Sequence, residues 1–273
     1  MNAKELLGLL EKKEFVIYGT GHVAQKFLKV IQKEHLDKNL KCFAVSFGEK
    51  EPIEGIAVKN IREIEKDSLV CIAVHNSLLN EMTGTLQDVG IDHYVWIYPY
   101  LYELLLGEPI KTDVKIKVDD IIRTCGDDYR IAIRCAAIDH YCGKNTNGFD
   151  WYMKSQALHC SMKTAEERLR RFCKLISDWQ RLGYDESKRI LINENYEIID
   201  GNHRVALAWY YGQEEIKCEI FGGNISACEV HGENAMLTKR ILLQNGFSLQ
   251  EIQELDKINQ MIKGGIRNES ISR

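Results

Sequence analysis

Short apolar runs alternate with helix-like segments over the first hundred residues, and this alternation restricts the fold more than any other feature. The strand-like runs are Phe15 to Tyr18, Lys41 to Phe47, Leu69 to Val74 and Tyr94 to Ile97. Helical spacing of apolar residues occupies the segments 24–31, 61–65, 78–89 and 100–106. Strands that alternate with helices form a parallel sheet covered by helices. We therefore predict an α/β fold that begins with a small Rossmann-like domain over residues 1–107.

A glycine turn follows the first strand of this domain. Gly19-Thr20-Gly21 and Ala24 match the dinucleotide-binding fingerprint with alanine in its third position. A dinucleotide-binding domain also places an acid after its second strand to hold ribose hydroxyls, whereas Ser46 stands there in this chain. Two interpretations stay open: the turn binds a nucleotide or sugar nucleotide, or its glycines serve tight packing in a docking domain. The domain is similar to the small Rossmann-like module that precedes catalytic domains in bacterial surface-polysaccharide enzymes.

A second domain is predicted over residues 108–222, because Glu108 precedes Pro109 and such a residue is disfavoured in helix. A capping box at Thr164 to Glu167 predicts the start of a long helix that ends at Gly183. Its buried stripe consists of Ala165, Leu169, Phe172, Ile176 and Trp179. Arg168, Arg170 and Arg171 lie beside this stripe, as a solvated face or as a nucleic-acid patch. The other predicted elements are a strand over 114–118, a loop over 139–150 that borders the site, a hairpin over 189–199 and a strand over 216–221.

The cluster Asp200-Gly201-Asn202-His203-Arg204 lies between the hairpin strand 196–199 and a helix-like run over 205–211. A strand that leads through a glycine turn into a helix N-terminus presents backbone N–H groups and the positive end of the helix dipole. Arg204 adds a planar set of donors that suits phosphate. The alternative is an ordinary capped turn in which Arg204 pairs with Asp200.

For each residue of the loop the sequence predicts a role in phosphate binding or transfer, and for some residues a structural alternative. Gly201 allows a positive φ or a close approach of the backbone to phosphate. Asn202 donates to a phosphate oxygen or caps the helix. His203 binds phosphate, donates a proton or moves one during transfer. Arg204 neutralises charge on the β- and γ-phosphates, and Asp200 holds Mg²⁺ or orients His203.

The loop, together with the elements around it, resembles the signature region of the ParB/sulfiredoxin superfamily over roughly residues 110–222. Members carry Gly-Cys-His-Arg, Asp-Gly-His-His-Arg or Gly-Glu-Arg-Arg in this place, and the loop holds the phosphates of ATP or CTP. The resemblance implies an α+β domain and a nucleoside triphosphate ligand with Mg²⁺. Asn202 stands where sulfiredoxins have their cysteine, which excludes thiol repair by that route. The pair His203-Arg204 is closer to the ParB-like free-serine kinases.

Those kinases use an acidic residue outside the loop as base, and the resemblance leaves its equivalent open between Asp150 and Glu166. Lys154 could reach a phosphate, although an exposed structural lysine fits its sequence context equally well. Beyond residue 222 we predict a C-terminal helical extension over 223–273. Its helices span 234–244 and 249–262, the second capped by Ser248 with Glu251, and either pack on the second domain or form a homodimer contact.

Composition narrows the function classes. The net charge of −4 argues against a nucleic-acid binder, and no apolar run approaches the ~18–20 residues that a membrane span needs. Nine cysteines without regular spacing indicate reduced thiols in a cytoplasmic protein. Cys135, His140 and Cys142 lack a suitably spaced fourth ligand, so no zinc is expected.

The sequence leads to three functional hypotheses. The first is ATP-dependent phosphoryl transfer to a small hydroxyl-bearing molecule, by a kinase or related nucleotide hydrolase in surface-polysaccharide metabolism. The second is a non-catalytic, nucleotide-responsive ParB-like regulator or DNA-associated protein. The third makes the Rossmann-like domain an oxidoreductase or sugar-nucleotide enzyme, and the missing acid after the second strand counts against it.

Overall fold

The computed structural model describes residues 1–48, 51–144, 147–223, 225–231 and 235–265. The chain divides into two compact units, Met1–Glu108 and Pro109–Arg273. The division falls at the Glu108-Pro109 step, where the residue before proline is disfavoured in helix.

The first unit is an α/β layer structure, as predicted. In its described residues the strands are β1 Phe15–Tyr18, β2 Leu40–Val45, β3 Val58–Asn60, β4 Leu69–Ile72 and β5 Tyr94–Trp96. The helices are α1 Ala3–Lys12, α2 His22–Lys33, α3 Asn76–Val89 and α4 Leu101–Leu106. All neighbouring strands are parallel and stand in the order β3-β2-β1-β4-β5. The predicted helix over 61–65 is reduced to a 3₁₀ turn at Ile61–Glu63, and the three-residue strand β3 is an addition.

Strand β1 shows why the strands of this unit are continuous apolar runs in the sequence. Phe15 and Ile17 belong to the core under α1, α2 and α4, whereas Val16 and Tyr18 belong to the core under α3. Because successive side chains of a strand point to opposite faces, a sheet with helices on both faces needs apolar residues at every position.

The second unit contains a mixed sheet flanked by helices. Among its described residues the strands are β6 Lys111–Lys117, β7 Ile190–Asn193, β8 Ile198–Asp200 and β9 Glu215–Phe221, in the order β6-β9-β7-β8. The pair β7–β8 is the predicted hairpin, and β7 runs parallel to β9. The helices are α5 Val118–Thr124, α6 Arg130–Tyr141, α7 Gly148–Ala157, α8 Met162–Leu182, α9 Asn202–Tyr210, α10 Ala227–His231, α11 Lys239–Gln244 and α12 Leu249–Lys263.

Helices α6 and α7 correct the prediction of a loop over 139–150. Helix α6 continues to Tyr141 and α7 begins at Gly148, so the connection is shorter, and its residues 145 and 146 lie outside the described ranges. Every residue from Arg130 to Ile138 is buried, which leaves no amphipathic period for the sequence to show. The two helices meet closely: a Cβ on Gly148 would stand 1.9 Å from the Ala136 carbonyl oxygen.

The long helix α8 begins earlier than predicted. Ser161 is its N-cap, and its hydroxyl accepts from the Thr164 amide at 3.3 Å, so Thr164 lies inside the first turn. The buried stripe is confirmed by the burial of Ala165, Phe172, Ile176 and Trp179, and Gly183 ends the helix as predicted.

The C-terminal helices belong to the second unit's core. The capping box of Ser248 with Glu251 opens α12 as predicted. Ile252, Leu255 and Ile262 of α12 join the same hydrophobic cluster as α6. The predicted helix over 234–244 is represented by α11 from Lys239, and Asn234 lies outside the described residues.

Candidate functional site

Strand β8 delivers the loop to the N-terminus of α9 through Gly201. This glycine has φ +108°, which other residues rarely adopt, and a Cβ there would lie 2.9 Å from Cγ1 of Ile190. The predicted positive φ is confirmed, and packing against Ile190 is a further reason for glycine. No side chain caps the first turn of α9, so Asn202 does not serve as the helix cap.

Asn202 and His203 stand at the first two positions of that helix. The side-chain Oδ1 of Asn202 is buried and meets no hydrogen-bond partner in the described chain. Buried polar atoms are nearly always paired, and this oxygen is an acceptor, so its suitable partner is a donor group rather than an anion.

His203 is held in an aromatic setting by α7 and α8. Its Nε2 lies 2.8 Å from the Tyr152 hydroxyl, and its ring centroid lies 4.6 Å from that of Phe172. Burial lowers the pKa of His203 well below its usual value, and the positive charges of Arg134, Arg204 and Arg168 lower it further. The imidazole is therefore neutral at physiological pH.

Arg134 is the most informative side chain near the loop, and the sequence analysis did not identify it. It is 7% exposed, and its Nη1 donates to the Arg130 carbonyl at 2.8 Å while its Nε has no partner. In the described parts of the chain no carboxylate lies within ion-pair distance of Arg134, because Asp128 pairs with Arg130. Burial lowers the pKa of Arg134, and the charges of Asp128 and Asp200, which lie beyond ion-pair distance, act in the opposite direction.

Arg168 adds to the same positive region. This half-buried residue of α8 donates from Nη1 to Gln156 Oε1 at 3.0 Å rather than to a carboxylate. Together with Arg134 it lowers the pKa of His159, after the larger effect of burial. Arg168 thus departs from the predicted solvated face, whereas Arg170 and Arg171 are exposed.

The ordinary capped turn would require an ion pair between Arg204 and Asp200, and the described residues show no such pair. The Nη1 of Arg204 donates to the Arg189 carbonyl at 3.0 Å. The positive charges of Arg134, Arg168 and Arg204 all act on His203, and none of the three forms an ion pair with a described carboxylate. Asp200, at the end of β8, is the carboxylate of the loop itself.

Lys154 lies on the face of α7 that packs against α12. It forms an ion pair with Glu251 at 2.6 Å, and its ammonium stands over the Phe247 ring. Tyr152, two residues earlier, reaches His203 instead, because residues two apart on a helix face in nearly opposite directions. A role for Lys154 in binding phosphate would require the pair with Glu251 to break.

The two candidate bases are both exposed. Asp150 lines an open cleft of about 500 Å³ together with Lys154 and Glu251, and Glu166 lies in the first turns of α8. Neither has a described contact with the loop.

Metal ligands do not gather in the part of the chain that the structure describes, where no three His, Cys, Asp or Glu side chains form a cluster. Cys135 is buried, His140 stacks on Phe149, and Cys142 lies near Tyr211. Mg²⁺ bound to phosphates needs only one or two protein carboxylates, and Asp200 could supply one.

The glycine turn of the first unit lies between β1 and α2, at the point where the strand order reverses between β1 and β4. Gly19 has φ +118°, and a Cβ there would stand 3.0 Å from the Ala73 carbonyl oxygen. Tight packing therefore accounts for Gly19. Gly21 precedes α2 without a side-chain cap and has open space around it, which leaves room for a ligand. Thr20 lies between them, and both interpretations of the turn stay open.

No helix within the described ranges has the length and apolar character required to cross a bilayer. Comparison with models of known protein families gave no match, and neither did comparison with curated proteins or with solved structures. The resemblance to the ParB/sulfiredoxin superfamily therefore stays a prediction.

Proposed function

We propose that the second unit binds the phosphates of a nucleoside triphosphate at the loop 200–204 and transfers a phosphoryl group to a small hydroxyl-bearing molecule. The observation that carries the proposal is the buried guanidinium of Arg134, which has no carboxylate within ion-pair distance in the described chain. An unpaired buried charge is strongly unfavourable. An anionic ligand would supply the missing counter-charge.

Phosphate fits this setting better than a carboxylate or chloride. Three guanidinium groups act by their charge on His203 of the loop, and the uncapped N-terminus of α9 adds backbone donors and a positive dipole end. A triphosphate carries several negative charges, and guanidinium groups match its oxygens in pairs. The neutral imidazole of His203 adds no charge of its own.

In the proposed reaction the acceptor hydroxyl oxygen forms a bond to the γ-phosphorus while the bond from that phosphorus to the bridging oxygen breaks. The hydroxyl proton passes to a carboxylate, and the nucleoside diphosphate leaves. Positioning and neutralisation of charge supply most of the catalysis in such transfers. Arg134, Arg168 and Arg204 would stabilise the charge on the transferred group, and Asp200 would hold Mg²⁺, which neutralises phosphate charge when bound.

The proposal places the protein in the cytoplasm, where nucleoside triphosphates are available. Surface-polysaccharide metabolism is the proposed setting, on the likeness of the first unit to modules of such enzymes. A nucleotide or sugar nucleotide at the Gly19–Gly21 turn would be consistent with this setting.

A binding experiment tests the site directly. Melting temperatures of the parent, Arg134→Met and Arg181→Met are measured with ATP, GTP or CTP in the presence of Mg²⁺. Arg181 is a matched control because its side chain is 69% exposed and pairs with Asp178 on the surface. A nucleotide at ~100 times its Kd should stabilise the parent by ~2.7 kcal/mol.

The expected result is a nucleotide-dependent rise in the parent and in Arg181→Met but not in Arg134→Met. Without ligand, Arg134→Met should melt higher than the parent, because methionine removes a buried charge and keeps much of the volume. An equal response in all three proteins would contradict the site. Turnover is monitored by ³¹P NMR with candidate acceptors. If nucleotide binds but no turnover is detected, the nucleotide-responsive regulator is favoured instead.

A further inference from the structure

The hydroxyl of Tyr152 contacts the loop from α7. The Tyr152 side chain is fully buried, its ring stacks on Phe172 at 5.3 Å between centroids, and its Oη lies 2.8 Å from Nε2 of His203. Neither Oη nor Nε2 has another hydrogen-bond partner in the described residues. The contact is therefore a single hydrogen bond whose direction depends on which atom carries the proton.

Counting protons decides that direction. A neutral imidazole carries one N–H, on either Nδ1 or Nε2, and a tyrosine hydroxyl always carries one O–H. If Nε2 carried the proton, the Tyr152 O–H would point at no acceptor in a buried setting. A buried donor without an acceptor costs about 1–3 kcal/mol. If Tyr152 donates to Nε2 instead, its proton is satisfied and the imidazole proton resides on Nδ1.

The charges around the hydroxyl agree with this direction. Arg134, Arg168 and Arg171 lie within electrostatic range of Tyr152, and a guanidinium has donors but no acceptor. The O–H proton of Tyr152 therefore cannot turn toward these side chains. They favour an arrangement in which the oxygen faces them and the hydrogen points to His203.

We propose that Tyr152 is a positioning residue that fixes His203 in the tautomer with its proton on Nδ1, so that Nδ1–H is a hydrogen-bond donor to the anionic ligand. The identity of that ligand rests on the proposed function, whereas the tautomer does not. His203 then binds a phosphate oxygen as a neutral donor. It does not take the proton of the acceptor hydroxyl, because Nδ1 is already protonated and Nε2 is occupied by Tyr152.

The tautomer is measured directly by long-range ¹H–¹⁵N NMR on the full-length protein labelled at its histidines, without nucleotide at pH 7.5. Comparison with a His203→Gln spectrum assigns the His203 signals. The proteins compared are the parent, Tyr152→Phe and Tyr184→Phe. Tyr184 is the matched control. Its hydroxyl accepts from the Lys217 amide at 2.9 Å, so Tyr184→Phe also removes one hydrogen-bonded hydroxyl from the second unit, but not the one that contacts His203.

The expected result is a neutral His203 protonated on Nδ1 in the parent and in Tyr184→Phe, and a mixture of tautomers in Tyr152→Phe. Protonation of His203 on Nε2 in the parent, or a charged ring, would overturn the inference. This measurement uses the parent protein alone, so it does not depend on whether Tyr152→Phe folds. An unchanged tautomer in folded Tyr152→Phe would also overturn it.

Binding of ATP with Mg²⁺ provides the second readout. Tyr152→Phe should bind roughly two- to fivefold more weakly than the parent, because the competent tautomer then holds only part of the population. If the parent shows the Nδ1 tautomer but binds no nucleotide, the proposed function fails while the positioning by Tyr152 stands. If the parent binds nucleotide with the other tautomer, only the positioning fails.

Discussion

His203 and Arg134 are two side chains that lie in electrostatically unfavourable surroundings. The charges of three guanidinium groups disfavour protonation of the His203 imidazole, and Arg134 is a buried guanidinium with no carboxylate within ion-pair distance among the described residues. Both residues thus weaken the ligand-free fold, and a bound anion would relieve both at once.

The depressed pKa of His203 predicts a specific loss of stability in acid. Well above pH 6.5, the usual pKa of histidine, the ring is neutral in both the folded and the unfolded chain. As the pH falls through 6.5, His203 becomes protonated in the unfolded chain but not in the folded protein. The free energy of unfolding therefore decreases until the pH reaches the pKa of His203 in the folded protein. Urea unfolding at pH 7.5 and 5.5 should show a smaller decrease in His203→Gln than in the parent.

His159 provides an internal comparison, because its pKa is also lowered by burial and by Arg168 and Arg134. His159→Gln should therefore also reduce the decrease. Equal acid sensitivity in the parent and His203→Gln would mean that folding leaves the pKa of His203 unchanged, which would contradict the prediction.

At the scale of the elements, the close contact between α6 and α7 determines where Tyr152 stands. A Cβ on Gly148 would overlap the Ala136 carbonyl oxygen at 1.9 Å and the Ala137 amide nitrogen at 2.8 Å. Both are backbone atoms of α6, so no side-chain rotation can relieve the overlap. Because α7 carries Tyr152 and α6 carries Arg134, a shift between these helices changes the relation of both to His203.

Gly148→Ala should therefore destabilise the protein by at least ~3 kcal/mol, at the upper end of the cost of overpacking. It should also weaken nucleotide binding, since Tyr152 moves with α7. Gly84→Ala is the control: Gly84 lies inside α3 with nothing within 4 Å of its added Cβ, and alanine there should stabilise by ~0.5–1 kcal/mol. Urea unfolding of both variants checks the prediction, and a neutral Gly148→Ala would indicate that the helices stand further apart.

The elements also show what a sequence can and cannot reveal. The parallel sheet of the first unit was predictable because its strands are short apolar runs that alternate with segments of helical spacing. The turn at Gly201 was predictable because its residues are contiguous. Helix α6 was missed because it is buried on every side and has no apolar period. Arg134 and Tyr152 were missed because only tertiary packing brings them to His203, although an arginine inside an apolar helix was a signal that could have been used.

For the whole molecule, the division at Glu108 and Pro109 predicts where function resides. The residues proposed to act at the loop all belong to the second unit, and that unit has its own hydrophobic core from α5 to α12. A fragment of residues 109–273 should therefore fold cooperatively and bind nucleotide with a Kd close to that of the full chain. Residues 1–108 form the parallel sheet with their own two cores and should fold without binding at the loop.

Calorimetric titration of ATP with Mg²⁺ into each fragment and into the full chain distinguishes the contributions of the two units. Retained affinity in fragment 109–273 assigns the site to the second unit alone, and loss of Arg134 should abolish it there as in the full chain. If the folded fragment lost affinity by tenfold or more, the first unit would contribute about 1.4 kcal/mol to binding. A Gly21→Leu variant of the full chain would then show whether the turn before α2 is the contributing surface, because a Cβ at that position meets nothing within 4 Å and a larger side chain would obstruct a ligand.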